Sequence, residues 1–162
     1  MSLRVGLFVT VVLIASFLTA CTTLDARLTT PSGFAEFRHT SDFRIVSPEG
    51  VVLRVRTAEN KPEQTIDFWA KTLKRQLSQS GYALLAEGTF DPKELPLPAA
   101  SRNGAYFEWS APVGTEDYTY LTAVALANDQ IVIVEAAGPI EYYKEHEQQI
   151  HKALETLTIS NP

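Results

Sequence analysis

Residues 51–57, VVLRVRT, alternate along the chain: Val51, Leu53 and Val55 fall on one side, and Val52, Arg54 and Arg56 on the other. That period of two is the signature of a strand with one face toward a core. Two short runs precede it, FAEFRH (34–39) and FRIVS (43–47), set apart by polar or Pro-Gly turns. Together they predict three short strands, antiparallel neighbours in one sheet. The period then changes. In ENKPEQTIDFWAKTLKRQLSQSGY the apolar residues Ile66, Trp69, Leu73 and Leu77 recur at i, i+3, i+7 and i+11, one stripe of a helix. Asn60 with Glu63 is expected to cap it, Pro62 to sit in its first turn, and Gly81 to end it.

Strand character returns in YALLAEGTF (82–90), followed by DPKELPLPAASRNG (91–104), whose three prolines predict a loop. AYFEWSAP (105–112) alternates Ala105, Phe107 and Trp109 against Tyr106, Glu108 and Ser110. YTYLTAVALA and QIVIVEAA flank Asn128-Asp129, a tight hairpin. Both are apolar on either face, which predicts central strands covered on both sides. The last element, GPIEYYKEHEQQIHKALETLTI, reads as a second helix opened by Gly138 and Pro139, with Tyr143, Ile150, Leu154 and Leu157 as its buried stripe. The predicted fold class is α+β: a twisted, mostly antiparallel sheet of about seven strands, sandwiched with two long helices.

This order of elements resembles the Mog1/PsbP-like fold, found in bacteria in small lipoproteins similar to DcrB. The likeness rests on strands with an aromatic residue, a turn and P-x-G (FRIVSPEG), and on the closing strand–strand–helix from Tyr118 to Ile159. It covers residues 34–159 and carries no invariant motif. A cystatin-like or ferredoxin-like sheet produces much of the same string. The resemblance implies an adaptor or accessory domain that works by binding other proteins, an expectation fold analogy alone does not carry.

The chain opens MSLRVGLFVTVVLIASFLTAC, a basic start, an apolar run and then small residues before Cys21, the one cysteine present. The apolar run from Val5 to Leu18 spans 14 residues, about 21 Å of helix at about 1.5 Å per residue. A hydrocarbon core of about 30 Å needs roughly 20 residues, so the layout is that of a signal peptide. Leu18-Thr19-Ala20-Cys21 resembles the lipobox of bacterial lipoproteins, in which the cysteine thiol receives a diacylglyceryl group and the chain is cut just before it. The alternative is a plain thiol at the end of a signal anchor. The expected organisation is a signal peptide over 1–20, a lipidated tether over 21–33 and a single α+β domain over 34–162. Thr22 after the cysteine, where an aspartate would retain the protein at the inner membrane under the enteric sorting rule, points to the outer membrane, facing the periplasm.

About 140 residues after cleavage make one domain, long enough to bury a core without cross-links. Net charge is −5 for the whole chain, and losing Arg4 with the signal peptide makes it one more negative. That acidity argues against nucleic acid, which demands basic patches, and against a polybasic lipid-binding surface. The partners expected are therefore the membrane, through the lipid on Cys21, and an envelope protein.

No catalytic residue stands out. G-x-S-x-G, G-x-x-x-x-G-K-[ST] and G-x-G-x-x-G are all absent, and no cofactor is implied. With three histidines and no C-x-x-C, no metal site is expected. Glu147 and His151 at i and i+4 could share an ion, but EYYKEHEQQIHK reads more simply as a solvated helical face. Glu135 interrupts an apolar strand, so it must be paired or line a wet pocket. Arg54 and Arg56 are expected to pair with it or with Glu108, either as a structural ion pair or as a small pocket for a polar ligand. Trp109, with Phe107, Tyr106, Tyr118 and Tyr120, forms an aromatic group that is core or, where exposed, a partner surface. The 91–104 loop, with Leu95 and Leu97, is the other candidate contact.

Overall fold

The computed structural model describes residues 25–37, 42–93, 95, 102–113, 116–127 and 129–160. The signal peptide, Cys21 and Thr22 therefore lie outside the described residues, as do residues 94 and 96–101 of the 91–104 loop.

In chain order the elements are β1 (Asp25–Arg27), β2 (Ala35–Glu36), β3 (Phe43–Val46), β4 (Val52–Glu59), α1 (Ile66–Gln79), β5 (Ala83–Phe90), β6 (Gly104–Val113), β7 (Glu116–Ala127), β8 (Gln130–Pro139), α2 (Ile140–Leu154) and β9 (Thr158–Ser160). Seven strands form one sheet in the order β2-β3-β4-β8-β7-β6-β5, every pair antiparallel, while β1 and β9 pair separately. The three leading strands are neighbours as the alternation predicts. The strands apolar on both faces, β7 and β8, are central. Among the described residues, no helix is long and apolar enough to cross a membrane.

The two helices cover opposite faces unequally. Under α2, Phe43, Ile45, Leu53, Val55, Leu121, Val132 and Val134 meet Tyr143, Ile150, Leu154 and Leu157, all of them buried. Each such side chain contributes roughly 1.5–3 kcal/mol relative to exposure, so α2 is firmly held. On the other face, Val124, Ile131 and Ile133 carry α1 through Ile66, Trp69, Ala70 and Leu73. The stripe faces the sheet as expected, yet no α1 side chain is fully buried. This helix rests on one end of the sheet and leaves its outer turns in water.

Three expectations need correction. Of the residues assigned to the tether, Asp25–Arg27 form β1 against β9, and Ala26 and Leu28 lie in the core. A run this polar still yields two inward apolar side chains, and burial decides its fate. Helix α1 starts later than its cap signal suggests: Thr65 is the N-cap, its hydroxyl oxygen accepting from the Phe68 N–H at 3.3 Å. Asn60 is buried instead, its amide closing a ring with the Gln64 backbone (3.0 and 3.1 Å) while its Oδ1 also accepts from Trp69 Nε1 at 2.8 Å. Its own N–H donates to the Asp129 carbonyl, so Asn60 stays with the β4 end and Pro62 precedes the helix. Gly81 does end α1, at φ +87°, a left-handed conformation that glycine adopts without steric cost. Finally, Leu95 is not an exposed loop contact; it is buried in the main core. Leu97 lies outside the described residues.

The β5 edge is blunted. A register shift between Leu84 and Ala86 leaves Leu85 without a partner, a bulge that spoils further strand pairing. Beyond it two cross-strand pairs mirror each other: Gly88 faces Tyr106, and Phe90 faces Gly104. A Cβ on Gly88 would lie 2.6 Å from the Tyr106 hydroxyl, and one on Gly104 would meet the Phe90 ring. Each aromatic ring covers the backbone of the opposing glycine, which compensates for the missing side chain.

Candidate functional site

Glu135 lies on β8 on the α1 side of the sheet, beyond the part that α1 covers. Register places Arg54 of β4 and Thr122 of β7 directly beside it. The ion pair nevertheless forms on the diagonal: Arg56 Nε donates to Glu135 Oε2 at 3.2 Å, and Tyr120 Oη donates to Oε1 at 2.7 Å. Arg54 turns away and donates from Nε and Nη2 to Asp42 at 3.1 and 2.6 Å. Tyr82, which links α1 to β5, sets its ring 5.8 Å from that of Tyr120. The sequence points to Glu135 and to both arginines without choosing between them; the fold joins Glu135 to Arg56 and brings in Tyr120 and Asp42, which local pattern does not pair with either.

Burial pushes the Glu135 carboxyl up, but the hydrogen bonds from Arg56 and Tyr120 outweigh it and hold the group below the usual carboxylate range. Burial, with the carboxylate beside it, pushes the Tyr120 phenol up to about 12. Both groups are thus locked in the state they have at neutral pH. Proton transfer near neutrality needs a group poised to titrate there, and this cluster is arranged as a satisfied network.

A second polar cluster sits on the opposite face, where α2 overhangs β6. Glu108, buried, accepts at Oε1 from Tyr143 Oη and from His151 Nε2, both at 2.9 Å. It therefore pairs with neither arginine, which both occupy the other side of the sheet. Burial raises the Glu108 carboxyl, yet the His151 and Tyr143 bonds bring it below its ordinary value; the His151 imidazole is raised by the same bond. The solvated face expected of α2 holds for Glu141, Lys144, Glu145, Glu147, Gln148, Gln149 and Lys152, which are exposed, but not for the two histidines. His151 packs edge-on against Tyr106 at 4.7 Å, and His146 reaches Glu49 at 3.1 Å with its ring 4.9 Å from Phe34. A helix only one turn from its apolar stripe has flanks that touch the sheet margins, and the histidines occupy those flanks.

Trp109 is no surface contact. It is fully buried beside Phe107, and its indole N–H has no hydrogen-bond partner among the described residues. Phe107 and Trp109 are core, Tyr118 and Tyr120 are half-buried on the same face, and Tyr106 is half-buried on the opposite face under α2. Exposed apolar side chains lie elsewhere, including Phe68 on α1 and Leu84 and Leu85 on β5. A shallow cleft of about 230 Å³ opens between the segment after β1 and the C-terminal half of α2, lined by Thr29, Pro31, Ser32, Gln149, Lys152, Ala153 and Thr156.

No family model matches the chain, and no curated protein is similar to it in sequence. Solved structures do resemble it. LpqN of Mycobacterium tuberculosis, a protein involved in cell envelope biogenesis, is similar over 90% of this chain and 88% of its own, with a TM-score of 0.64 and 10% identity. The cyanobacterial PsbP, CyanoP, of Synechocystis is similar over 88% of this chain and 95% of its own, at TM-score 0.54 and 10% identity. The Ran-binding protein Mog1p of Saccharomyces cerevisiae covers 82% of each chain at TM-score 0.50 and 10% identity. The protein has the Mog1/PsbP-like fold, as the element order implies. At such identities the likeness carries the fold alone.

Proposed function

We propose that this chain is a bacterial lipoprotein, anchored by lipid on Cys21 and facing the periplasm, whose domain acts as a non-enzymatic adaptor for another envelope protein. The observation that carries the reading is the register of its first 21 residues: basic start, short apolar run and Leu-Thr-Ala-Cys in succession. A function in the envelope agrees with the part its structural neighbour LpqN has in envelope biogenesis. Thr22 favours the outer membrane. Binding through a surface agrees with the α1–β5 side, where no helix side chain is buried and Phe68, Leu84 and Leu85 are exposed. Single exposed apolar residues need no explanation; several on adjoining elements favour a protein contact.

The other reading, a binding module for a small or lipidic ligand, is favoured by the cleft beside α2. At about 230 Å³ it falls below the roughly 300–1,000 Å³ typical of ligand pockets, so the adaptor reading stands first.

The test is cross-linking of the native, membrane-borne protein followed by mass spectrometry. A reproducible near-stoichiometric envelope partner is expected, together with release of the Cys21→Ser protein from the membrane fraction. Membrane retention of Cys21→Ser would end the lipid-anchor reading, and capture of abundant envelope proteins alone would end the adaptor reading.

A further inference from the structure

Glu147 and His151 stand one turn apart on α2, where residues at i and i+4 project from the same face. Beneath them Glu108 rises from β6. One ligand atom from each of the three residues lies within 4.8 Å of the others. This is a different arrangement from the Glu135 network, on the other face of the sheet and with an imidazole in place of a guanidinium.

We propose that Glu108, Glu147 and His151 form a binding site for a divalent first-row transition-metal ion. The donor set decides the class. An imidazole nitrogen with two carboxylates suits zinc or manganese, whereas calcium and magnesium take oxygen ligands throughout. The site has a fixed part and a movable part. Glu108 is buried and His151 half-buried, their side chains 8% and 27% exposed, and the two already meet at 2.9 Å. Two ligand atoms about 2.0–2.1 Å from one tetrahedral ion stand roughly 3.3 Å apart, so the pair opens by a few tenths of an ångström to admit it. Glu147 is exposed, so its long side chain closes the remaining distance by a rotamer change at small cost.

The surroundings fit an ion. Tyr143 Oη donates to Glu108 at 2.9 Å, the outer-sphere hydrogen bond that orients a ligating carboxylate. Tyr106 fixes the plane of the His151 ring by its edge contact at 4.7 Å. On the solvent side, the residue opposite Glu108 on β5 is the exposed Ala86, so the edge strand adds little bulk beside the cluster. Three protein ligands then leave coordination positions for water or for a donor group of a partner. On binding, the ion takes the place of the proton shared by His151 Nε2 and Glu108 Oε1, and that proton leaves to solvent.

The experiment is calorimetric titration of the detergent-solubilised full chain with Zn²⁺, repeated with Mg²⁺ and Ca²⁺, alongside ¹⁵N spectra of the histidine rings. One saturable Zn²⁺ site is expected, with a shift of the His151 Nε2 resonance and no comparable response to Mg²⁺ or Ca²⁺. Glu147→Gln and His151→Gln are each expected to weaken it at least ~10-fold, since even outer-shell partners cost that much. Glu147 is exposed and its substitution leaves the fold intact, so that variant decides the matter should His151→Gln fold poorly. Absence of saturable Zn²⁺ binding, or binding that Glu147→Gln leaves unchanged, overturns the proposal.

Discussion

Replacing Arg56 by Met keeps most of the side-chain volume and removes the guanidinium that faces Glu135. Two limits bracket the cost. Exposed ion pairs contribute about 0–1 kcal/mol, and stripping one partner from a buried pair costs about 3–5 kcal/mol. The Arg56–Glu135 pair lies between, at 37% and 21% side-chain exposure. Solvent screens the arginine end, and Tyr120 continues to donate to the carboxylate at 2.7 Å. The expected loss is about 1–2 kcal/mol at pH 7, or a fall in Tm of roughly 3–8 °C for a domain this size. The sign of the pH dependence follows from the native carboxyl being held low. Glu135 contributes stability above its unfolded pKa, and that contribution is lost as pH falls through the lower folded value. In Arg56→Met burial is opposed only by Tyr120 and the more distant charge of Arg54, so Glu135 moves up and the difference between the two proteins shrinks on acidification. Urea unfolding of both proteins from pH 3 to 8 measures this, with Glu135→Gln as the second arm of a cycle. Equal stability at pH 7, or a deficit that persists undiminished at pH 3, would refute the reasoning. So would a double variant that recovers nothing.

Alkaline titration by tyrosinate absorbance should show a step near pH 12 that is missing in Tyr120→Phe, because burial and Glu135 hold that phenol neutral; the corresponding stability is complete below about pH 10 and declines as pH rises through about 12. Gly104→Ala, which drives a methyl group into the Phe90 ring, should cost about 1–3 kcal/mol in urea unfolding, and a neutral result would show that the ring swings aside freely. Leu95→Ala should cost about 2–4 kcal/mol because the side chain is 3% exposed within the main core; a loss under 0.5 kcal/mol, roughly the effect of a surface change, would show that the loop does not anchor there.

Local pattern determined much of this protein. The period-two alternation of residues 51–57, the helical stripe from Ile66 to Leu77 and the doubly apolar strands before and after Asp129 are written in neighbouring residues, because side-chain direction repeats every 2 or 3.6 positions. Those signals sufficed for the fold class and for the central place of β7 and β8. They also flagged Glu135, since a carboxylate in an apolar strand requires a partner whatever the topology. What local pattern does not contain is which distant residue arrives opposite. Arg56 is bonded to Glu135 and Arg54 to Asp42 because antiparallel register and the diagonal reach of arginine decide it. The cap signal at Asn60 misled for a related reason: its backbone bond to Asp129 ties it to the sheet, so the helix begins after it. Residues 25–28 look like tether by composition, yet pairing of Asp25–Arg27 with β9, more than a hundred residues away, carries Ala26 and Leu28 into the core. The Glu108–His151–Tyr143 cluster joins a strand to a helix across 35 to 43 positions, a separation no periodicity spans. The chain's own pattern thus determined its elements and their inward faces, while strand register and the packing of α2 over β6 decided which polar groups meet, because long-range contacts form only when the whole sheet has closed.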